Sequence, residues 1–284
     1  MRYFHSGHDY RRQEEDDCLT IDEIKRRIKS LPRVVQEFFN AAIHCANDNS
    51  GDGIVRFSRS LSIEQGGKFL LNGQWISFTA TQQFGTRYNR PGFVWDAAMK
   101  IETLFSHITI PIYVCDAFID GIGIMKAHLP GGIPLIRQKL SRELDEGELL
   151  RWVTEAVLFP LALLPSVDAS LNHSVSMCTT LRWLPSVDGD ENSAILELIY
   201  QDITARVAFY FDPGTHLISS VKTKRSRAVG TKYEMTVWEG FYSHYEIHDG
   251  LNVPTMMEAG WRLGIDANLE IYFKGTNRNF VYAI

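Results

Sequence analysis

Alternation of apolar and polar residues with a period of two recurs along most of this chain, and it strongly limits the possible folds. In the segment 93–101, Phe93, Trp95 and Met99 alternate with residues such as Asp96 and Lys100, as in a half-buried antiparallel strand. Similar runs occupy 63–71, 74–84, 110–119, 123–128, 175–184, 194–199, 204–211, 217–224, 233–247, 256–263 and 269–273. Glycine-containing pairs between the runs favour tight hairpins. The pattern therefore predicts two meanders of antiparallel strands.

One long amphipathic segment, 143–165, separates the two meanders and predicts a helix over 143–164. Two shorter apolar stripes at helical spacing, ending near Pro32 and Ala46, predict N-terminal helices. The absence of β-α-β alternation argues against a parallel sheet. We predict an α+β fold in which a large, curved antiparallel β-sheet, a half-barrel, wraps around a central helix. Residues 1–19 are predicted to be a flexible tail and 20–284 a single domain.

The composition excludes several classes of protein. The net charge of -5 argues against a general nucleic-acid binder, which would carry a basic surface. We interpret the short basic run 222–227 as the solvent-facing side of a strand. The four cysteines form no Cys-x-x-Cys pair, so we expect neither a zinc ribbon nor a redox motif. No secretory signal and no apolar run of about 18 residues occurs, which predicts a cytoplasmic protein without a membrane span. The oligomeric state stays open.

Three charged residues of the helical segment are the first candidates for a site. Glu148, Arg151 and Glu155 are spaced by three and four residues and share one stripe beside the apolar face. Burial raises the pKa of a carboxyl group and a nearby arginine lowers it, so this set has the ingredients of an acid-base pair. The alternative interpretation is an ordinary ion pair on the flank of the helix.

A second candidate lies on the predicted strand 233–247. His244, Glu246 and His248 alternate along it, a spacing that can chelate a divalent metal. The opposite face of this strand is more apolar and better suited to burial, so we predict that these three side chains face solvent and bind no metal. His244 is kept as a third candidate for proton transfer. Motifs of serine hydrolases, P-loop nucleotide hydrolases and Rossmann dinucleotide-binding proteins are absent, and no cofactor is expected.

Several phrases of the sequence occur together, and in the same order, in a known family. They are 91–97, the helical motif 143–151 followed by Glu155 and Phe159-Pro160, the segment 162–166, and the stretch from Trp238 through Tyr245 and Asp249-Gly250 to Thr255. From about Leu31 onward the chain resembles a large, mostly bacterial family known as a domain of unknown function. That family is similar to lipoprotein-carrier half-barrels, in which a curved sheet wraps around helices. The resemblance implies an architecture with an apolar cavity, and no established activity.

The function that we predict is binding of a hydrophobic small molecule, such as a lipid, terpenoid or polyketide, between the concave sheet and the helix. The alternative is a cofactor-independent isomerase, cyclase or hydrolase that uses Glu155 and Arg151 as an acid-base pair, assisted by His244. A third hypothesis, a pure interaction protein, predicts an exposed apolar patch. The residues predicted to line the ligand site are Glu148, Trp152, Trp95, Phe93, Phe118, Trp238 and Tyr242.

Overall fold

The computed structural model describes residues 18–43, 54–56, 60–85, 90–102, 109–165, 179–186, 189–230 and 232–283. Most of this part of the chain forms one antiparallel sheet of thirteen strands, accompanied by a two-stranded sheet. The strands are β1 (Cys18–Thr20), β2 (Ile54–Arg56), β3 (Ser60–Leu71), β4 (Gln74–Gly85), β5 (Gly92–Glu102), β6 (Thr109–Ile119), β7 (Ile122–His128), β8 (Pro134–Arg137), β9 (Thr179–Pro185), β10 (Ser193–Tyr200), β11 (Ile203–Phe211), β12 (Ile218–Val229), β13 (Lys232–His248), β14 (Leu251–Leu263) and β15 (Asn268–Ala283). The predicted fold class is confirmed.

The large sheet consists of the two predicted meanders, β3 to β8 and β9 to β15, in each of which neighbours in sequence are neighbours in space. Strand β15 pairs with β3 and so joins the two meanders. The hairpin turns follow the sequence signals, because Asn72-Gly73 and Asp120-Gly121 have the positive φ angles that such tight turns require. The order of strands is thus β8-β7-β6-β5-β4-β3-β15-β14-β13-β12-β11-β10-β9.

In the described part of the chain, three α-helices accompany the sheet: α1 (Ile21–Lys29), α2 (Arg33–Ala42) and α3 (Arg142–Glu155). The side chain of Ser141 caps α3 by accepting a hydrogen bond from the backbone amide of Leu144 at 3.3 Å. The predicted helix 143–164 is too long: α3 ends at Glu155, and the chain continues in two short 3₁₀ turns. Between those turns Phe159 has a non-helical φ of -141°, and Pro160 lacks the amide hydrogen that a continuing helix would need.

Helix α3 connects the two arms of the half-barrel. It packs against β5, β6 and β7 of the first meander and against β11 and β12 of the second. The contact with β7 is close, because the backbone amide of Gly123 donates to Asp145 Oδ1 at 2.7 Å and a Cβ atom at Gly123 would lie 2.9 Å from Leu144 Cγ. As both arms cover it, α3 buries polar as well as apolar side chains.

The N-terminal helices were predicted correctly as elements. Val35, Phe38, Phe39 and Ala42 of α2 are fully buried, and the Phe38 ring lies 5.7 Å from that of Phe211. Helix α2 packs against β10 and β14. The predicted tail 1–19 is corrected at its end, because Cys18–Thr20 form strand β1, paired with β2. Residues 1–17 lie outside the described residues.

Candidate functional site

A buried charge cluster, which consists of Asp116, Glu148, Arg151 and Glu155, lies between α3 and the sheet. The Arg151 guanidinium forms an ion pair with Asp116 of β6 through Nη1, and Arg151 Nε donates to Glu155 Oε1 at 2.8 Å. Glu155 Oε2 accepts a further hydrogen bond from the side-chain amide of Gln82 on β4 at 2.5 Å. The side chains of Arg151 and Glu155 keep only 16% and 14% of their exposure. The stripe predicted from the sequence therefore faces the sheet interior, where its charges are paired across elements.

Aromatic side chains of β5 support the arginine of the cluster. The Arg151 guanidinium carbon lies 4.7 Å from the ring centre of Phe93 and 5.2 Å from that of Trp95, within the range of cation–π attraction. The indole nitrogen of Trp95 donates to Gln65 Oε1 at 2.6 Å, which fixes the indole ring in turn. Arg151 is thus held by two carboxylates and two rings, and its orientation is determined by β4, β5 and β6 together.

Glu148 and Asp116 form a carboxyl pair in the deepest part of the cluster. They expose only 4% and 6% of their surface. Burial raises the pKa of Glu148 well above its usual range, and the neighbouring charge of Asp116 raises it further, while Arg151 and Arg225 act in the opposite direction. Burial also raises the pKa of Asp116, against the effect of Arg151. Glu148 Oε2 and Asp116 Oδ1 have no other hydrogen-bond partner among the described residues. A hydrogen bond from a protonated Glu148 to the Asp116 carboxylate satisfies both atoms.

A continuous row of rings on the inner face of the sheet leads away from the cluster, and we call it the aromatic wall. Its centroid distances run from 5.3 to 6.4 Å along one path, and the guanidinium of Arg225 on β12 lies 5.8 Å from the ring of Trp261 and 5.6 Å from that of Trp238. The hydroxyl of Tyr272 accepts from the indole nitrogen of Trp238 at 3.0 Å. The members of the aromatic wall are Phe69, Phe78, Trp238, Trp261, Tyr272 and Phe273.

The wall is only partly covered. Phe78 and Trp238 are buried, whereas Phe69, Trp261, Tyr272 and Phe273 are half-buried although they belong to the inner face. The first end of the wall adjoins the cluster, because the ring of Phe78 lies 5.6 Å from that of Trp95. The wall therefore offers apolar surface on the concave side of the sheet, with an arginine near each end.

The basic run 222–227 is divided between the two faces of the sheet, which corrects its interpretation as a solvent-facing run. Lys222 and Lys224 are exposed, and Lys222 Nζ lies 3.3 Å from Glu239. Arg225 and Arg227 share the inner face with the buried Val221. The period of two assigns alternate residues to opposite faces, so a run of like charge along a strand need not belong to one surface.

The other predicted site residues divide between the core and the surface. The predicted ligand-site aromatics Phe93, Trp95, Phe118, Trp152, Trp238 and Tyr242 are all buried. Tyr242 donates its hydroxyl to the backbone oxygen of Thr154 at 2.7 Å, next to the cluster. His244 is exposed and contacts Ser243 at 3.0 Å, and the structure does not bring it together with Arg151 and Glu155. In the described part of the chain, no group of three or more His, Cys, Asp or Glu residues is arranged to hold a metal.

A cavity of about 700 Å³ is found on the opposite face of the sheet from α3. Its outward-facing lining comes from β3 to β7 and from β15, and it includes Thr79, Asp96 and Cys115, with the stacked pair Tyr113 and His128 at one side. Burial, followed by the charge of Asp96, raises the pKa of the Cys115 thiol to about 11, so this thiol is a poor nucleophile at neutral pH. This cavity thus lies on the outer face of the sheet, and the cavity that the sequence predicts between sheet and helix stays a prediction.

Sequence reasoning did not find Asp116, Gln82 and Arg225 as members of the site. Each is a polar residue of a strand, where the default expectation is a solvent-facing side chain. The one available signal is the register with buried neighbours: Asp116 pairs with Trp95, which pairs with Gln82. That register depends on strand pairing across the whole sheet.

The fold and the site define an α+β half-barrel protein with a charge cluster buried under its central helix. Residues 29–282 match the family model described as a family of unknown function (DUF6920), and the chain belongs to this family. The family resemblance predicted from the sequence is confirmed. Comparison with curated proteins gave no match. Among the described residues, every helix is too short or too polar to span a bilayer.

Three solved structures with low sequence identity cover nearly the whole chain. A DUF1329 family protein from Desulfovibrio piger has 12% identity and a TM-score of 0.40, with 92% of both chains covered. A putative outer membrane lipoprotein-sorting protein domain from Vibrio parahaemolyticus has 8% identity and a TM-score of 0.40, covering 90% of this chain and 93% of that one. A LolA superfamily protein from Nitrosomonas europaea has 10% identity and a TM-score of 0.35, with 94% of each chain covered.

Proposed function

We propose that the half-barrel binds a hydrophobic small molecule along the aromatic wall. The observation that carries the proposal is that four rings of one connected row, Phe69, Trp261, Tyr272 and Phe273, belong to the concave inner face and are only half-buried. Large apolar side chains that face the inside of a domain and stay partly uncovered favour binding of an apolar ligand, because burial stabilises by roughly 25 cal/mol per Å².

The position of α3 supports the same proposal. The buried charge cluster and the residues packed around it give the helix a fixed place between the arms, so that the wall is presented by rigid elements. The buried predicted residues Phe93, Trp95, Phe118 and Trp152 then act as the packed support, while the half-buried rings make the contact. Direct ligand contact by Glu148 or Tyr242 stays a prediction.

Binding of an environment-sensitive apolar probe, 1-aminoanthracene, tests the proposal. Trp261→Ala removes a half-buried ring of the wall, and we expect it to weaken probe binding by about tenfold or more, since a ring contact of this kind contributes about 1.5 kcal/mol. Trp75→Ala is the matched control, because Trp75 is an exposed tryptophan outside the wall. Equal affinities of the two variants, or no probe binding by the wild-type protein, would contradict the proposal.

A cofactor-independent isomerase, cyclase or hydrolase is the second candidate. It is favoured by the contact between Arg151 and Glu155, whose side chains retain some exposure beside the buried carboxyl pair. Glu155→Gln distinguishes the two candidates once a ligand has been identified. An enzyme would lose turnover and keep binding, whereas a binding protein would convert nothing in either form.

A further inference from the structure

The arginines of the inner face differ in how they are neutralised. Arg151 forms ion pairs with Asp116 and Glu155. Arg225 and Arg227 are half-buried, and neither guanidinium lies within 4 Å of a carboxylate among the described residues. The Nε atoms of both are buried and have no hydrogen-bond partner in the described part of the chain. A buried N–H donor without an acceptor is costly, so the two Nε–H groups, which lack one among the described residues, suit this pair to receive an acceptor from outside the chain.

The first of these guanidinium groups lies against helix α3. Arg225 Nη2 is 3.5 Å from the position that a Cβ atom at Gly147 would take, which is an ordinary contact distance. Its other neighbours are the rings of Trp238 and Trp261, at 5.6 and 5.8 Å from the guanidinium carbon. Arg225 is therefore held at one end of the aromatic wall by contacts that leave its Nε–H without an acceptor among the described residues.

The charges near the pair favour an anion. Glu148 is neutral where its raised pKa keeps it protonated, which leaves Asp116 and Glu155 to balance Arg151 and Arg225. No carboxylate of the described residues lies within 4 Å of the Arg227 guanidinium to balance it. Its partner across the β12–β13 ladder is Glu234, which is exposed and lies more than 4 Å from the guanidinium.

We propose that the half-barrel takes an amphiphile with an anionic headgroup, a carboxylate or a phosphate monoester, whose headgroup binds Arg225 and Arg227 and whose apolar chain lies along the aromatic wall. The inference rests on the proposed function, because it assigns the wall to the chain of the same ligand. Arg225 and Arg227 stand at alternate positions of one strand and so share a face, and the forked donors of a guanidinium group suit both kinds of oxyanion. Carboxylate and phosphate ligands are distinguished by experiment.

The test is displacement of bound 1-aminoanthracene from the full-length protein by four ligands with the same C16 chain, each below its micelle concentration. Palmitate, monohexadecyl phosphate, methyl palmitate and hexadecyltrimethylammonium differ in charge at the headgroup. We expect at least one of the two anions to bind tenfold or more tightly than methyl palmitate, and the cation to bind more weakly than the ester. The anion that binds more tightly identifies the headgroup class.

Substitutions on β12 then locate the headgroup. The double variant Arg225→Gln/Arg227→Gln should lose the preference for anions and keep its affinity for methyl palmitate within about threefold, whereas Arg225→Lys/Arg227→Lys should retain most of the preference. Lys224→Gln is the control, because Lys224 is exposed on the other face of the same strand. Unchanged anion preference in the glutamine variant would overturn the inference.

The ligand series also works on the wild-type protein alone, so a variant that fails to fold does not remove the test. Equal affinity for palmitate, monohexadecyl phosphate and methyl palmitate would overturn the anionic headgroup and leave the proposed function intact. A preference for the cation would do the same. Failure of 1-aminoanthracene and of all four ligands to bind would overturn both the proposed function and the inference.

Discussion

Arg151→Met should destabilise the protein strongly, because it removes the cation that holds two largely buried carboxylates. The variant leaves Asp116 and Glu155 without their ion pairs, while the apolar methionine keeps much of the packing against Phe93. Removing one partner of a buried ion pair costs roughly 3–5 kcal/mol, and the retained exposure of 14–16% favours the lower end of that range. Urea denaturation monitored by circular dichroism measures the loss as a shift of the midpoint multiplied by the slope.

Two further variants make the reasoning refutable. Arg142→Met, on the same helix, removes exposed ion pairs with Glu146 and Asp202 and should change the midpoint little. Adding Asp116→Asn and Glu155→Gln to Arg151→Met removes the stranded charges and should recover most of the lost stability. If Arg151→Met loses no more than Arg142→Met, the cluster is not electrostatically coupled as described.

Two other predictions follow from the packing around α3. Because the pKa of Glu148 is raised in the folded protein, its proton stabilises the fold, and this stabilisation is lost as the pH rises from the reference value of 4.5 through the folded pKa. The free energy of unfolding of Glu148→Gln should therefore rise relative to that of the wild type by up to about 1.4 kcal/mol per pH unit over that window. Parallel stability–pH curves of the two proteins would refute this prediction. Gly123→Ala should cost about 1–3 kcal/mol, because its Cβ would lie 2.9 Å from Leu144. Gly66→Ala is the control in the same thermal melts, because the Cβ atom added at Gly66 would lie 4.0 Å from its nearest neighbour, the backbone oxygen of Phe78.

The sequence predicted the elements of this fold well, and the reason is local. Alternation and glycine turns are visible within a few residues, so the predicted strand 74–84 is found as Gln74–Gly85 and the predicted strand 110–119 as Thr109–Ile119. The end of α3 was harder to predict, because the sequence 156–164 stays apolar while the backbone changes from α-helical to 3₁₀ conformation. Helical spacing alone does not separate these two conformations.

The site was only half predictable for a different reason. Glu148, Arg151 and Glu155 are close together in the chain, and their common stripe could be seen from spacing. Asp116 and Arg225 reach the same interior from strands that are far apart in sequence, and their inward orientation depends on strand register across the sheet. The charge of a strand residue gives no indication of that register, and the basic run 222–227 was therefore assigned wholly to the surface.

The pairing of β15 with β3 has a consequence for how the molecule assembles. In the described chain, the strand that completes the middle of the sheet is the last in sequence, and its partner β3 is among the first. During synthesis, β3 and β14 each have an edge of unpaired backbone N–H and C=O groups until β15 leaves the ribosome. Until then the two meanders are separate sheets, whose unpaired edges can bind to other chains. Such distant pairing makes closure of the sheet a slow step, and the chain is most vulnerable to aggregation just before that step.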